Sequence, residues 1–263
     1  MRNGNMLEGA VAIVTGIGPG MGRSIALRLA EQGARVALAA RRERYLEQVA
    51  AELSAVGREP LVVPTDIADE AQCDRLVDTA LEHFGGVDVF VQNGHHAGDW
   101  KAAADARIGD WRQVMDVNFF AALKLSQRVI PSMKQRGGGR IVLVNSGAAI
   151  RNPATMGAYS ASKAALASLA RTLANEVGHD GILVNSLTLG PVAGDNQARF
   201  VAGDGVGAEE RQRLLDEKGK ALPLGHIPTP DECAGAVLFL ASPLAAAITG
   251  QNLVVNGGQW VTP

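Results

Sequence analysis

Thr15-Gly16-Ile17-Gly18-Pro19-Gly20-Met21-Gly22 is the stretch on which the fold turns. An apolar run, Ala10–Thr15, precedes it, and an amphipathic segment, Met21–Gln32, follows at once. A glycine-rich turn between a strand and a helix gathers backbone N–H groups and the positive end of a helix dipole. That combination attracts an anion such as a pyrophosphate. Glycine is needed because a Cβ would block close approach of the backbone. The spacing is TGxxxGxG, carried by Gly16, Gly20 and Gly22, with Met21 inside it. Pro19 has no N–H to offer. Such a loop can also be a plain tight turn; its position between the first strand and the first helix is what points to a dinucleotide.

Outward from the loop, short apolar runs alternate with longer amphipathic ones. Strands are expected at Ala10–Thr15, Arg35–Ala40, Leu61–Pro64, Val87–Val91, Arg140–Asn145, Leu183–Leu187 and Asn252–Val255. Helices are expected at Met21–Gln32, Arg42–Val56, Glu70–Phe84, Ile108–Val117, Phe119–Gln135, Thr155–Val177 and Pro230–Leu240. The strands lack polar alternation, as in parallel sheets covered on both faces. The alternation implies an α/β fold, a doubly wound parallel sheet of Rossmann type with about seven strands and helices on both faces. No linker or repeat interrupts it, so residues 1–263 are assigned to one domain. The long polar segment 193–222, with Gly194, Gly203, Gly205 and Gly207, is either a surface excursion or a lid over a substrate site.

Composition removes several classes. A net charge of −2 gives no electrostatic case for nucleic acid or an anionic membrane. The most apolar stretch, Ala234–Ile248, is too short to span a bilayer and is broken by Ser242 and Pro243. Cys73 and Cys233 form no CxxC pair, and the five histidines have no zinc-site spacing, so no metal is expected. A cytoplasmic protein is the expectation.

The second strand ends Ala39-Ala40-Arg41-Arg42. An acidic residue near this point holds the ribose hydroxyls of NAD, whereas an arginine accommodates the 2′-phosphate of NADP. Ala40 followed by Arg41 favours NADP, with NAD still possible. Tyr159 and Lys163 lie four apart in a helical segment and share a face. An ammonium near a phenol stabilises the phenolate and lowers its pKa, which suits general acid–base work on a carbonyl or an alcohol. Ser146, at a strand's C-terminal end, is placed to hold the substrate oxygen. Asn118 falls at a junction between two helical segments, where a plain capping role is the alternative.

With these residues assembled, the chain closely resembles the classical short-chain dehydrogenase/reductase (SDR) family, from about Leu7 to Gly258. The resemblance runs through Tyr159-Ser160-Ala161-Ser162-Lys163, Ser146 ahead of it, and Ile248-Thr249-Gly250-Gln251 leading into Val254-Val255-Asn256-Gly257-Gly258. It implies a catalytic tetrad of Asn118, Ser146, Tyr159 and Lys163. Asn118 would hold a relay water, and Lys163 would also bind the nicotinamide ribose. It implies cofactor contacts from Gly16, Gly20, Met21, Gly22, Arg41, Asp66, Ile67, Asn93, Tyr159, Lys163, Gly190 and Val192. It also implies a small-molecule carbonyl or alcohol substrate and a homotetramer built partly on Phe119–Gln135 and Thr155–Val177. Departures from the family pattern stand at Gln92-Asn93-Gly94-His95, where His95 replaces a glycine, and at Leu189-Gly190-Pro191, with Gly194 where a threonine is common. His95 and His96 are either a substrate contact or a solvated loop. A cofactor-binding regulatory protein without turnover is the competing reading from another class; an NAD-dependent alcohol dehydrogenase is the competing reading within the same fold.

Overall fold

In the computed structural model, which describes residues 5–194, 197 and 206–261, seven parallel strands form one sheet in the order β3-β2-β1-β4-β5-β6-β7. They are β1 Val11–Thr15, β2 Arg35–Ala40, β3 Leu61–Pro64, β4 Val89–Gln92, β5 Gly139–Ser146, β6 Ile182–Leu189 and β7 Asn252–Val255. The chain order reverses direction at β1, which pairs with both β2 and β4. Ligands bind open α/β sheets at such a switch point, beyond the C-terminal ends of the strands.

Period-two geometry explains why both faces bury apolar side chains. From β1, Val11 and Ile13 enter one core, together with Phe90, Leu76, Leu125 and Leu166. Ala12 and Val14 enter the other, with Ile25, Leu29, Leu46 and Val237. Three helices cover the first face: α3 (Glu70–Phe84), α5 (Ala121–Gln135) and α7 (Gly157–Val177). Three cover the second: α1 (Met21–Glu31), α2 (Glu43–Ala55) and α9 (Pro230–Ala241). Local sequence sets their ends. The Asp69 carboxylate caps α3 by accepting from the N–H groups of Ala71 and Gln72, and Gly85 ends it with φ +80°. Thr229 and Glu232 form a reciprocal capping box on α9, with Pro230 in its first turn.

The structure departs from the sequence reading in three places. Helix α4 (Ile108–Met115) and α5 do not break at Asn118; a π-helical turn, Asp116–Phe120, joins them without interruption. A short helix α6 (Ala148–Arg151) precedes α7, and α7 starts at Gly157, because the backbone at Asn152 and Thr155 has positive φ and cannot continue a helix. The 193–222 segment falls partly outside the described residues, yet its later part is helix α8 (Ala208–Lys220) rather than loop. That helix is almost wholly polar, with Glu209 and Glu210 in its first turn and Lys218 and Lys220 in its last, matching the helix dipole. No helix among the described residues is long and apolar enough to cross a membrane.

Candidate active site

The sheet delivers most of the singled-out residues to one edge. Arg41 follows β2, Asp66 and Ile67 follow β3, Asn93 follows β4, Ser146 ends β5, and Gly190 and Val192 follow β6. The glycine loop lies over the same edge between β1 and α1.

That loop works by leaving atoms out. Gly16 has φ +72°, and a Cβ there would collide with the backbone of Gly94. A Cβ on Gly22 would collide with the Gly16 carbonyl. Gly20, by contrast, faces open space and caps α1 with no side-chain hydrogen bond. The first N–H groups of α1 therefore border an open cradle, as an anionic group requires. The end of β4 holds the loop in place. Asn93 Nδ2 donates to the Gly16 carbonyl at 2.9 Å, and Thr15 Oγ1 donates to Gln92 Oε1 at 2.7 Å while accepting from the N–H groups of Asn93 and Gly94. Gly94 also abuts Ile67, whose Cδ1 would lie 2.7 Å from a Cβ at that position. Asp66 closes a local turn by accepting from the Ala68 N–H at 3.1 Å. Gly190 packs on Asn256, with its N–H bonded to the Val255 carbonyl.

At the end of β2, Arg42 and Arg44 lie over the Tyr45 ring, at 4.5 and 5.2 Å from its centroid. Arg41 is exposed and makes no hydrogen bond or ion pair within the described residues. A cleft of about 560 Å³ lies between α1 and α2, bordered by Gly18, Pro19, Tyr45 and the Arg23–Glu52 pair; the Tyr159 cluster does not line it.

The second half of the site is made of polar side chains. The Tyr159 side chain meets that of Ser146, whose hydroxyl favours the phenolate form. Lys163 lies one turn on, with Nζ 5.8 Å from the Tyr159 ring centroid and donating to the Val144 carbonyl at 2.8 Å. Asn145 ties β5 to this helix, because its Nδ2 donates to the Lys163 carbonyl and its Oδ1 accepts from the Ser146 N–H. Asn118 is fully buried and caps nothing. Its Oδ1 accepts from the His96 N–H at 2.7 Å, and its Nδ2 donates to the His96 carbonyl and to Ser162 Oγ, each at 2.9 Å. Ser162 in turn donates to the Tyr159 carbonyl at 2.8 Å. The capping alternative for Asn118 is thus wrong: the π turn rotates it inward as a clamp between the β4 loop and α7.

Burial governs the charges. It pushes the Lys163 ammonium down to about 7. It raises the Tyr159 phenol, against a smaller lowering from the Ser146 hydrogen bond. The expectation that Lys163 would depress Tyr159 is therefore not met in the protein alone. Desolvation is the larger effect and Ser146 the opposing one. Sequence reasoning missed Ser162, Asn145 and the His96 backbone. Ser162 sits inside the quoted Tyr159–Lys163 motif, so its position was visible although its partner was not. Trp260 was also missed: its indole lies against Gly147, next to Ser146, where a Cβ would collide with it.

Comparison with known proteins identifies the family. Residues 16–259 match the family model described as enoyl-(acyl carrier protein) reductase. Dehydrogenase/reductase SDR family member 4 of Bos taurus is 34% identical over 258 residues, covering 98% of this chain and 90% of that protein. The structure of 7α-hydroxysteroid dehydrogenase complexed with NADH and 7-oxo glycochenodeoxycholic acid is 33% identical with a TM-score of 0.87, covering 97% and 96% of the two chains. L-Sorbose reductase of Gluconobacter frateurii, complexed with NADPH and L-sorbose, is 29% identical with a TM-score of 0.91, covering 98% and 100%. The chain belongs to the short-chain dehydrogenase/reductase family and is an oxidoreductase of that family.

Proposed function

We propose that the protein is an NADP(H)-dependent oxidoreductase that interconverts a carbonyl and a secondary alcohol, with Tyr159 as the general acid and base. The observation that carries this reading is the meeting of Tyr159 with Ser146, with Lys163 one turn away, beside a side-chain-free cradle at the α1 N-terminus. The open space at Gly20 and the crowded Gly16 and Gly22 suit a dinucleotide held by Gly16, Gly20, Met21 and Gly22, with Asp66, Ile67, Asn93, Gly190 and Val192 along its path. When bound, the reduced nicotinamide supplies the hydride.

The chain's own residues handle the oxygen and the proton. Ser146 holds the substrate oxygen, and Tyr159 passes its phenolic proton to that oxygen as charge builds there. Burial keeps Tyr159 protonated, which is the form a reduction needs. Lys163 stands where a positive charge would stabilise the phenolate left behind. Asn118, on a π turn, fixes the β4 loop against α7, next to the route by which Tyr159 would be reprotonated.

NADP rather than NAD is supported by Ala40 in place of an acidic residue and by Arg41, whose guanidinium has no hydrogen bond or ion pair among the described residues while Arg42 and Arg44 stack on Tyr45. Thermal unfolding with saturating NADPH or NADH tests this. A ligand at 100 times its dissociation constant stabilises the fold by about 2.7 kcal/mol. A larger shift with NADPH is expected; a larger shift with NADH would overturn the role of Arg41, and no shift with either would overturn the cofactor reading. A homotetramer using α5 and α7 is part of the same proposal. Light scattering should give four times the mass of the chain, and a monomer would contradict it.

A further inference from the structure

His95 is a chemistry-bearing side chain that the proposed mechanism leaves unused. Its neighbours fix its backbone on both sides. Asn93, two residues earlier, is bonded to Gly16 of the cradle, and both the N–H and the carbonyl of His96 are clamped by Asn118. Its φ is not in the left-handed region, since among non-glycine residues only Asn152 and Thr155 are described with positive φ, so the histidine stands there without strain. Part of the residue is open to solvent, while the protein around its imidazole desolvates the ring. Its centroid lies 6.2 Å from that of Tyr159, at an interplanar angle of 61°. Its only polar contact among the described residues is Nδ1 to the Asn93 carbonyl at 3.5 Å, at the outer limit of a hydrogen bond. A rigidly mounted imidazole beside the proton donor, with little hydrogen bonding of its own, is a preorganised recognition group.

We propose that His95 recognises a hydroxyl group on the carbon next to the reacting one, so that the substrates are α-hydroxy ketones and the corresponding vicinal diols rather than plain ketones. The inference rests on the carbonyl–alcohol reading above and narrows it. With Nδ1 turned to the Asn93 carbonyl, Nε2 of the neutral imidazole is left as an acceptor for a substrate hydroxyl. Its surroundings keep it neutral: desolvation by the protein around it, the Lys163 ammonium and His96 outweigh the Asn93 carbonyl and hold it at about 4. It therefore has no charge with which to select a carboxylate or a phosphate. With ring centroids 6.2 Å apart, one small substrate can meet both side chains, placing one oxygen at Tyr159 and Ser146 and a second, on the adjacent carbon, at the imidazole.

Matched ketones test it: acetoin against butan-2-one, and 2-hydroxycyclohexanone against cyclohexanone, with NADPH, for the wild type, His95→Ala and His95→Asn. The wild type should favour the hydroxylated member of each pair by about tenfold or more in kcat/KM, the scale of one net hydrogen bond at a prepared site. His95→Ala should erase that preference and leave the plain ketone nearly unchanged. His95→Asn, which keeps a donor and an acceptor, should restore part of it. A preference unchanged in His95→Ala overturns the inference. So does a loss shared equally by both ketones together with a raised KM for NADPH, since the ring would then serve the cofactor. A wild type that reduces plain ketones without preferring their hydroxylated partners overturns this inference alone. One that binds NADPH and reduces no member of either pair overturns the reductase reading as well.

Discussion

Around the N-terminus of α1 the site is walled by backbone: Gly16, Gly22 and Gly94 approach one another where no Cβ fits, and Gly20 leaves the helix end bare. At the end of β5 and on α7 it is walled by side chains: Ser146, Tyr159, Lys163, Asn118 and Ser162 fill the space and bond to one another or to nearby carbonyls. The glycines that wall the first region do not titrate. The second region buries two titratable groups, and both are displaced from their ordinary values. A cradle of this kind is damaged by adding atoms and is indifferent to pH, whereas the polar cluster is damaged by removing atoms and carries the pH dependence. The regions also meet the need for left-handed backbone differently. Gly16 does so with glycine, whereas the turn before α7 uses Asn152 (φ +45°) and Thr155 (φ +67°).

The contrast can be broken in four ways. Gly16→Ala should have the largest effect. It adds a Cβ against Gly94 at a left-handed position, a cost of about 2–5 kcal/mol from strain and overpacking together. Thermal unfolding should show a lower midpoint and no further shift with NADPH; a retained NADPH shift would mean that the cradle tolerates atoms and that the comparison is drawn wrongly.

Next comes the pH dependence assigned to the polar cluster. Lys163 titrates near 7 in the folded protein against an ordinary value of 10.5. Between those values the unfolded chain binds the additional proton, so stability rises as pH rises from about 7 towards 9, above which the buried Cys73 and Cys233 thiols, raised to about 11 and about 12, oppose it. The melting midpoint of the ligand-free protein should climb on the order of 2 °C per pH unit in that window. Lys163→Met should flatten the climb, and a climb that survives the substitution would place its source elsewhere.

Arg41→Asp concerns the cradle's rim. It should reduce the preference for NADPH over NADH by about ten- to a hundredfold, the scale of a lost charge-assisted hydrogen bond. Isothermal titration with both cofactors reads this directly, and an unchanged ratio would remove Arg41 from the site. Thr155→Gly is the smallest effect. Relief of the β-branched residue's left-handed strain, partly offset by the greater freedom of glycine in the unfolded chain, should stabilise by about 1 kcal/mol or less in urea unfolding.

What could be read from the residues follows the same division. The strand–turn–helix around Gly16–Gly22 and the seven strands were legible because apolar runs, breakers and glycine spacing are local signals. Ser146, Tyr159 and Lys163 were legible because one lies at a strand end and the others on one helix face. The setting of Asn118 was not. A π turn adds a single residue to a helix, too little to disturb the periodicity, and the His96 backbone that Asn118 holds is 22 residues away in sequence. The displaced charges were not legible either. The tyrosine–lysine spacing predicts a lowered phenol, but the sign is set by how deeply both groups are buried, which only the packing of α7 on β5 decides. Helix α8 was hidden because its charged residues and the glycines before it read as loop when no apolar stripe marks a core-facing side.

The most direct test of the account is Tyr159→Phe, which removes one hydroxyl and leaves the ring. The purified variant should be measured both for NADPH binding by thermal shift and for NADPH-linked carbonyl reduction. The account predicts an undiminished NADPH shift with kcat lowered by about 10²–10⁴-fold, the usual contribution of a positioned general acid. Turnover close to that of the wild type would show that the proton comes from elsewhere and would contradict the assignment of Tyr159.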